Sequence, residues 1–327
     1  MKAAQRDRYG SPDVIEIREV ETPVPTEDRV RVRVEAASVN RADLDQLYPR
    51  WQFYRLVAGL RRPRSPNLGL DVAGVVDAIG PDATRLKVGD RVYGDLFSFG
   101  MGSFAEFVCA RERAFRRIPD AMTAEDAATL PHSAILALQS LRIRGRRLEA
   151  RQRLLIDGAS GNVGPFAIQI AKERGAHVTA TCSEAKMAFV RELGADVVLD
   201  YRATDYTRTG DRWDWIVDTD SHHSTWDARR GLAPGGVYQT LGGGTADLLG
   251  LLFVAPVAGR LAKARLGLMM GWQPFQRAQD DAAEVERLHA AGALRPYVDR
   301  RFPLSDTVEA LRYVDSRTSK GKVLVIP

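Results

Sequence analysis

The sequence predicts an α/β protein of two domains, a compact β-rich one followed by a doubly wound parallel sheet. Short apolar/polar runs separated by Gly, Pro and Asp turns fill roughly the first 117 residues. Beyond Pro119 strands and helices alternate, with glycines closing the helices. A glycine-rich loop stands between the first strand and the first helix of that alternation. At 327 residues the chain can form about two domains, each with its own core.

The elements follow in order. "VRVRVE" (30–35) alternates strictly, so Val30, Val32 and Val34 face a core while Arg31, Arg33 and Glu35 face water. "DVAGVVDAIG", "RVYGDL" and "SFAEFVCA" continue in the same texture, and "KVGDRV" (87–92) carries the Gly-Asp pair of a tight turn. "TAEDAATLPHSAILALQSL" reads as helical, opened by a Thr123 cap with Asp126 three residues on. The strand "RLLID" leads to a helix from about Val163 to Arg174 closed by Gly175. "HVTATC" is the next strand, and the helix over 184–193 is closed by Gly194. "DVVLD", "WIVDT" and "GVYQTLG" supply three more strands. Residues 245–287 are less regular, with an apolar helical stretch; from Leu288 the chain reads helix, strand ("YVDRRFPL"), helix (306–315) and strand ("KVLVIP").

Composition narrows the function. Hydrophobic residues at 45% and charged residues at 27% are ordinary for a globular protein. "MKAAQRDRYGSP" has no secretory core, and "LLGLLFVAPVAG", broken by Pro256, is too short to span a bilayer. A cytoplasmic protein with no membrane partner is expected. The two cysteines, Cys109 and Cys182, support neither a disulfide framework nor a four-thiolate zinc site. The formal charge of +5 invites a nucleic-acid reading, and arginines crowd "LRIRGRRLEARQR". No aromatic residue is interleaved there and no nucleic-acid-binding signature is present, so a solvated turn is the better reading and no nucleic-acid partner is expected.

"GASGNVG" sets Gly158, Gly161 and Gly164 at GxxGxxG spacing, with Ser160, Asn162 and Val163 between them. Such a loop lets backbone N–H groups meet a pyrophosphate at a helix N-terminus. A lone glycine triplet is weak evidence; the strand before, the helix after and "HVTATC" beyond make it strong. NAD sites place an acid at the end of that second strand. Here the place falls on Thr181-Cys182-Ser183, with Lys186 three residues on. A hydroxyl and an ammonium suit a 2′-phosphate, so NADPH is the expected cofactor. One charge-assisted bond of about 1.5–3 kcal/mol would favour it about ten- to a hundredfold. Glu184 opposes this, though a first-turn Glu normally points to solvent.

With these residues in view, the chain resembles the medium-chain dehydrogenase/reductase superfamily, in its zinc-free quinone oxidoreductase (zeta-crystallin-like) branch. "ASVNRAD", "NLGLDVAGVV", "LKVGDRVYG", "AATLP…ALQSL", "LGADVVLDY", "LAPGGVY" and "KGKVLV" match in order over essentially the whole chain. The resemblance implies a GroES-like β-barrel catalytic domain (1–117, completed by 266–327) and a Rossmann NADP-binding domain (118–265), with the cofactor in the cleft between them and usually a homodimer. Zinc-dependent relatives need a Cys where Asn40 stands and a Gly-His-Glu where Gly69-Leu70-Asp71 stands, so the catalytic zinc site cannot be assembled here. His222 and His223 read as a polar turn rather than a metal site. Without a Lewis acid, hydride transfer to a quinone or to the C=C of an α,β-unsaturated carbonyl is easier than alcohol oxidation.

Carried over residue by residue, Asn40 and Asp43 are expected at the cleft floor beside the nicotinamide. Ser183 and Lys186 take the 2′-phosphate, and Tyr201 the adenosine side. Gly242, Gly243 and Gly244 lie near the nicotinamide, and Lys322 in the last basic loop approaches the cofactor. Leu136 replaces a Thr that would bond the carboxamide; His132 and Ser133 are candidates to substitute, a helix-cap pair being equally good. Pro49 replaces a branch Gly, and the active-site Tyr has no clean counterpart. Tyr48, Trp51 and Tyr54 are pocket candidates, surface aromatics being an equally good reading, and the proton donor is left unassigned. Two other readings stand: a tailoring enoyl reductase or alcohol dehydrogenase-like enzyme of a biosynthetic pathway, and a non-catalytic NADPH-binding protein.

Overall fold

The computed structural model describes residues 1–48, 54–143, 145–219, 223–241, 265–268 and 275–327. They form two compact units, Met1–His132 with Pro296–Pro327, and Ser133–Arg295. These divisions fall later than the 117/118 and 265/266 expected from sequence, and the packing of two helices gives the reason. Helix Ala124–Thr129 packs on the strands of the first unit, and helix Phe275–Ala290 packs within the second.

The first unit opens with a hairpin of β1 (Lys2–Gln5) and β2 (Glu16–Glu19). Its main sheet is built from β3 (Arg29–Val39), β4 (Asp71–Ile79), β5 (Arg91–Asp95), β6 (Phe107–Arg111) and β7 (Phe115–Arg117). Val30 and Val32 are fully buried while Arg33 is exposed, as the alternation predicts. Gly89 takes φ +93° in the turn between β4 and β5, and Asp90 accepts the Lys87 N–H at 3.0 Å. After β3 the chain enters α1 (Arg41–Leu47), and after β7 it enters α2 (Ala124–Thr129). Thr123 caps α2, accepting the Asp126 N–H at 3.0 Å. The helix expected to continue through Pro131 stops here. Proline has no N–H to donate and disfavours helical geometry at the residue before it, so a turn intervenes and a separate helix begins at Ser133.

In the second unit the chain runs α3 (Ser133–Ser140), β8 (Arg153–Asp157), α4 (Gly164–Glu173), β9 (His177–Cys182), α5 (Met187–Glu192), β10 (Val197–Asp200), β11 (Trp213–Asp218), β12 (Leu232–Thr240), β13 (Arg265–Leu268) and α6 (Phe275–Ala290). The six strands pair in parallel in the order β10-β9-β8-β11-β12-β13. Gly175 and Gly194 close their helices at φ +74° and +104°. Only a short 3-10 turn, Glu184–Lys186, precedes α5 where one helix over 184–193 was expected. The strand order reverses between β8 and β11, the switch point at which parallel sheets of this kind bind ligands. Trp213 and Trp215 fill the core, and the Trp215 indole donates to Ser140 O at 2.8 Å. The helix expected from Leu288 in fact runs from Phe275 to Ala290, and Gly292 at φ +71° then turns the chain.

The chain then returns to the first unit through β14 (Val298–Pro303), α7 (Thr307–Asp315) and β15 (Lys322–Ile326). Strand β15 lies between β14 and β3, giving the order β14-β15-β3-β4-β5-β7 with β6 also on β3. The register of these strands aligns their polar residues. Ser38 faces Asp71 and Asp71 faces Asp95, so one row of polar residues crosses β3, β4 and β5. On β15 Leu324 faces Ser38, Val323 faces Val39, and Lys322, one residue earlier, joins the row through its side chain.

Candidate functional site

The first cluster is this row. Asp71 is fully buried, and its Oδ2 accepts the Ser38 hydroxyl at 2.8 Å, the Asn40 amide Nδ2 at 2.9 Å and the Lys322 ammonium at 3.5 Å. The ammonium also donates to Asn40 Oδ1 at 2.7 Å. Both ends of the Asn40 amide are therefore engaged within the protein, and its residue is 1% exposed. Lys322 is likewise 0% exposed, and its ammonium is tied into the row. Burial pushes the Lys322 ammonium down and the Asp71 carboxyl up, and each partly offsets the other's shift.

Asp43 joins through α1. Asn40 precedes the helix and Asp43 stands at its third position, where Oδ2 accepts the Asn40 N–H at 2.7 Å. The motif's Asn-x-x-Asp spacing is thus that of a capping box. Asp43 is fully buried, and its Oδ1 has no hydrogen-bond partner among the described residues. Burial raises its carboxyl to about 7, against the lowering by the Asn40 N–H bond.

His132 closes the row at the other end. Its backbone N–H donates to Asp71 Oδ1 at 3.0 Å, and its ring Nδ1 lies 2.9 Å from Asp95 Oδ2. The imidazole side chain is 18% exposed. Tyr48 ends α1 and packs, half-buried, against the hydrophobic core; burial first, then Asp315, raises its phenol. Trp51 and Pro49 lie outside the described residues, and Tyr54 opens a short helix, Tyr54–Ala58.

The second cluster lies at the C-terminal edge of the parallel sheet. Gly158 takes φ +79°, which only glycine adopts without strain, and its N–H donates to Thr181 Oγ1 at 3.2 Å. At Gly164 a Cβ would meet Ala159 O at 2.3 Å, so close packing of the helix start on the loop demands glycine there. Gly161 is different. A Cβ there would meet only Gly158 O, at an ordinary 3.6 Å, so the protein's own packing does not require the missing side chain. The space it leaves open is an approach to the backbone at the start of α4, where no side chain caps the helix. Ser160, Asn162 and Val163 complete this cradle, Ser160 largely buried and the other two half-buried. A pyrophosphate fits such a cradle.

Ser183 and Lys186 follow β9, and Tyr201 follows β10, its N–H donating to Cys182 O at 3.2 Å. The ends of the neighbouring strands β9 and β10 thus carry the three, with Ser183 half-buried, Lys186 buried and Tyr201 39% exposed. The Arg202 guanidinium stacks over the Tyr201 ring at 4.9 Å. Sequence reasoning missed Arg202, although a basic residue directly after "LDY" was a visible signal. Asp200, paired with Cys182 across β10 and β9, accepts the Arg202 N–H at 3.1 Å, and Glu184 is exposed. Gly242, Gly243, Gly244 and His222 lie outside the described residues, while His223 pairs with Asp205 at 3.7 Å and stacks edge-on against Tyr206.

Residues 193–325 match the family model described as "Zinc-binding dehydrogenase", and 26–120 the one described as "Alcohol dehydrogenase GroES-like domain". The residues standing at the zinc-ligand places do not suit the ion. Leu70 is buried and has no donor atom, and the Asn40 carbonyl already accepts an ammonium. No cluster of three or more His, Cys, Asp or Glu side chains able to hold a metal occurs among the described residues. The chain is 32% identical to the mouse protein "NAD(P)H oxidoreductase RTN4IP1, mitochondrial", over 98% of this chain and 87% of that protein. It is 32% identical to "Trans-enoyl reductase pgmF" of Aspergillus terreus, over 91% and 86% of the two chains. The quinone oxidoreductase of Coxiella burnetii superposes with a TM-score of 0.84 at 25% identity, covering 100% of this chain and 99% of that one. With whole-chain identity of this order, two matching family models and one shared architecture, the chain belongs to the medium-chain dehydrogenase/reductase superfamily, in its quinone-oxidoreductase-like branch.

Proposed function

We propose that this protein is a zinc-independent, NADPH-dependent reductase of conjugated carbonyl compounds, either quinones or the C=C of α,β-unsaturated carbonyls. The observation that carries the reading is the cradle at Gly158–Gly164, open at Gly161, with Ser183, Lys186, Tyr201 and Arg202 gathered at the ends of the adjoining strands. Gly161 and the uncapped start of α4 would receive the pyrophosphate, Ser183 and Lys186 the 2′-phosphate, and the Tyr201–Arg202 pair the adenosine end. The cofactor, when bound, supplies a hydride. The polar row of Ser38, Asn40, Asp71 and Lys322 fixes the end of β3 and the start of α1, and Asp43 stiffens that helix start. Gly242 and Gly243 belong to the reading as nicotinamide neighbours.

Similarity to a trans-enoyl reductase favours one second reading, reduction of an enoyl thioester or polyketide chain in a biosynthetic pathway. A cytoplasmic homodimer is part of the primary reading, and light scattering tests its stoichiometry. NADPH consumption against a panel of quinones, enones, enals, enoyl thioesters and short alcohols separates the alternatives. Turnover on a quinone or enone supports the proposal; alcohol oxidation alone, or no turnover with any acceptor, refutes it. Fluorescence titration with NADPH and NADH tests the cofactor, and Lys186→Ala should lose about ten- to a hundredfold in NADPH affinity while NADH binding changes little.

A further inference from the structure

We infer that His132 is the proton donor of this enzyme, oriented by Asp95. This rests on the proposed reduction of a conjugated carbonyl and assigns the one role which that reading leaves open.

The geometry is that of an imidazole held from two sides. Asp71 Oδ1 accepts the His132 backbone N–H at 3.0 Å, which fixes where the residue leaves the turn after Pro131. Asp95 Oδ2 lies 2.9 Å from Nδ1, and Asp95 Oδ1 is itself held by the Phe97 N–H at 2.8 Å. A carboxylate on Nδ1 fixes that nitrogen as the donor toward Asp95 and leaves Nε2 to face outward. Among the described residues Nε2 has no hydrogen-bond partner. Of the other titratable groups of the row, Asp43, Asp71 and Lys322 are each 0% exposed. The Asp95 side chain is 30% exposed, but its two oxygens are engaged by His132 Nδ1 and the Phe97 N–H, whereas the His132 side chain is 18% exposed with Nε2 unengaged among the described residues. Tyr48 packs against the core, and burial beside Asp315 makes its phenol a poorer acid. His132 is therefore the member of this row that can offer a substrate an unengaged nitrogen.

The charges around it suit the task. Asp95 faces it from β5, Asp71 from β4, Lys322 from β15 and Asp43 from α1. Burial and Lys322 push the imidazole down, but Asp95, its hydrogen bond and Asp71 outweigh them, and its pKa stands above the ordinary histidine value. An imidazolium with its second N–H free is a competent acid near neutral pH.

Atoms and electrons balance in the reduction. A hydride from the reduced nicotinamide forms the new C–H bond at the electron-poor carbon, and the cofactor leaves oxidised. The π pair displaced from the conjugated system arrives on the carbonyl oxygen. There the Nε2–H bond breaks and a new O–H bond forms, giving an enol; from a quinone this enol becomes the hydroquinone when its ring CH2 loses a proton to water and the second carbonyl oxygen gains one. Neutral His132 then regains its proton from water.

The test begins with the full chain and NADPH, using an enone and a quinone at several pH values. Wild type should show kcat falling as pH rises through the imidazole pKa. His132→Gln should lower kcat by about a hundredfold or more and abolish that limb. Its KM and NADPH affinity should stay within about twofold. Asp95→Asn should move the limb to lower pH, because a raising carboxylate is gone. Proton NMR of the His132 ring in cofactor-free protein should show the same downward move of its midpoint in Asp95→Asn. If His132→Gln does not fold, Asp95→Asn carries both readouts. Retention of kcat within fivefold and of the same pH limb in His132→Gln overturns the assignment, as does an NMR midpoint unmoved by Asp95→Asn. Absence of turnover in wild type on every acceptor, with the NMR shift present, overturns the functional reading instead and takes the donor role with it.

Discussion

Replacing Lys322 by Met tests whether the buried row is held together by charge. The Lys322 ammonium lies 2.7 Å from Asn40 Oδ1 and 3.5 Å from Asp71 Oδ2, and the Lys and Asp side chains are 1% and 0% exposed. Removing it leaves the Asp71 carboxylate without its counter-charge, although Ser38, Asn40 and the His132 N–H still donate to it. Breaking a buried ion pair on one side costs about 3–5 kcal/mol, and at about 2–4 °C per kcal/mol the melting temperature should fall by roughly 6–20 °C. The paired variant Lys322→Met/Asp71→Asn has no unmatched charge. It leaves Asn40 Oδ1 short of one donor, at a cost of about 1–3 kcal/mol, and Met fills the space of the lysine stem. The double variant should therefore be more stable than the single, and urea denaturation of wild type, both singles and the double closes the cycle. A single Lys322→Met costing under about 1 kcal/mol, or a double variant as unstable as the sum of the singles, would refute the argument.

The remaining predictions concern pH, the glycines and metal. The Asp43 carboxyl, raised by burial to about 7, binds a proton in the folded state that the unfolded state has released, so its contribution is fully present below about pH 4 and is lost as pH rises to about 7. Asp43→Asn removes that loss, worth on the order of 4 kcal/mol, and should gain stability relative to wild type at pH 8 over pH 4; an equal difference at both pH values counts against it. Gly164→Ala should destabilise the fold because its Cβ would stand 2.3 Å from Ala159 O, whereas Gly161→Ala should leave the melting temperature nearly unchanged and weaken NADPH binding. Equal effects of the two substitutions on both readouts would remove the distinction drawn between these glycines. Dialysis against a strong chelator should leave NADPH consumption unchanged, and loss that zinc restores would contradict the donor chemistry of Asn40 and Leu70.

Legibility in the sequence followed the range of the interaction. Val30, Val32 and Val34 announced a strand face because their period is local, and Gly175 and Gly194 marked helix ends for the same reason. The break at Pro131 was equally local, but the apolar pattern on both sides masked it. Helix Phe275–Ala290 was placed late because the residues before it carried no start signal strong enough to fix its boundary. The glycine loop was legible down to individual residues, since strand, turn and helix fix it within one short segment.

The polar row is a different case. Ser38, Asp71, Asp95 and Lys322 come from four strands, and nothing local marks any of them as paired. Asp71 entered the sequence reading only as the acid beside a missing metal ligand, and Asp95 did not enter it at all. The register that sets Ser38 opposite Asp71 and Asp71 opposite Asp95 is what turns four separate residues into one network. The contacts of Asn40 were equally out of reach of the sequence: its amide bonds Lys322 and Asp71, and its position caps a helix. A buried network with this many charged members persists only when its donors and acceptors match. Here the match is made inward, among Lys322, Asn40, Ser38 and Asp71, and the exposed end of the row is the His132–Asp95 pair. With His132 as the proposed proton donor, rigidity and reactivity fall to different ends of one row: the enclosed end fixes the backbone, and the exposed end holds the imidazole whose Nε2 has no partner among the described residues.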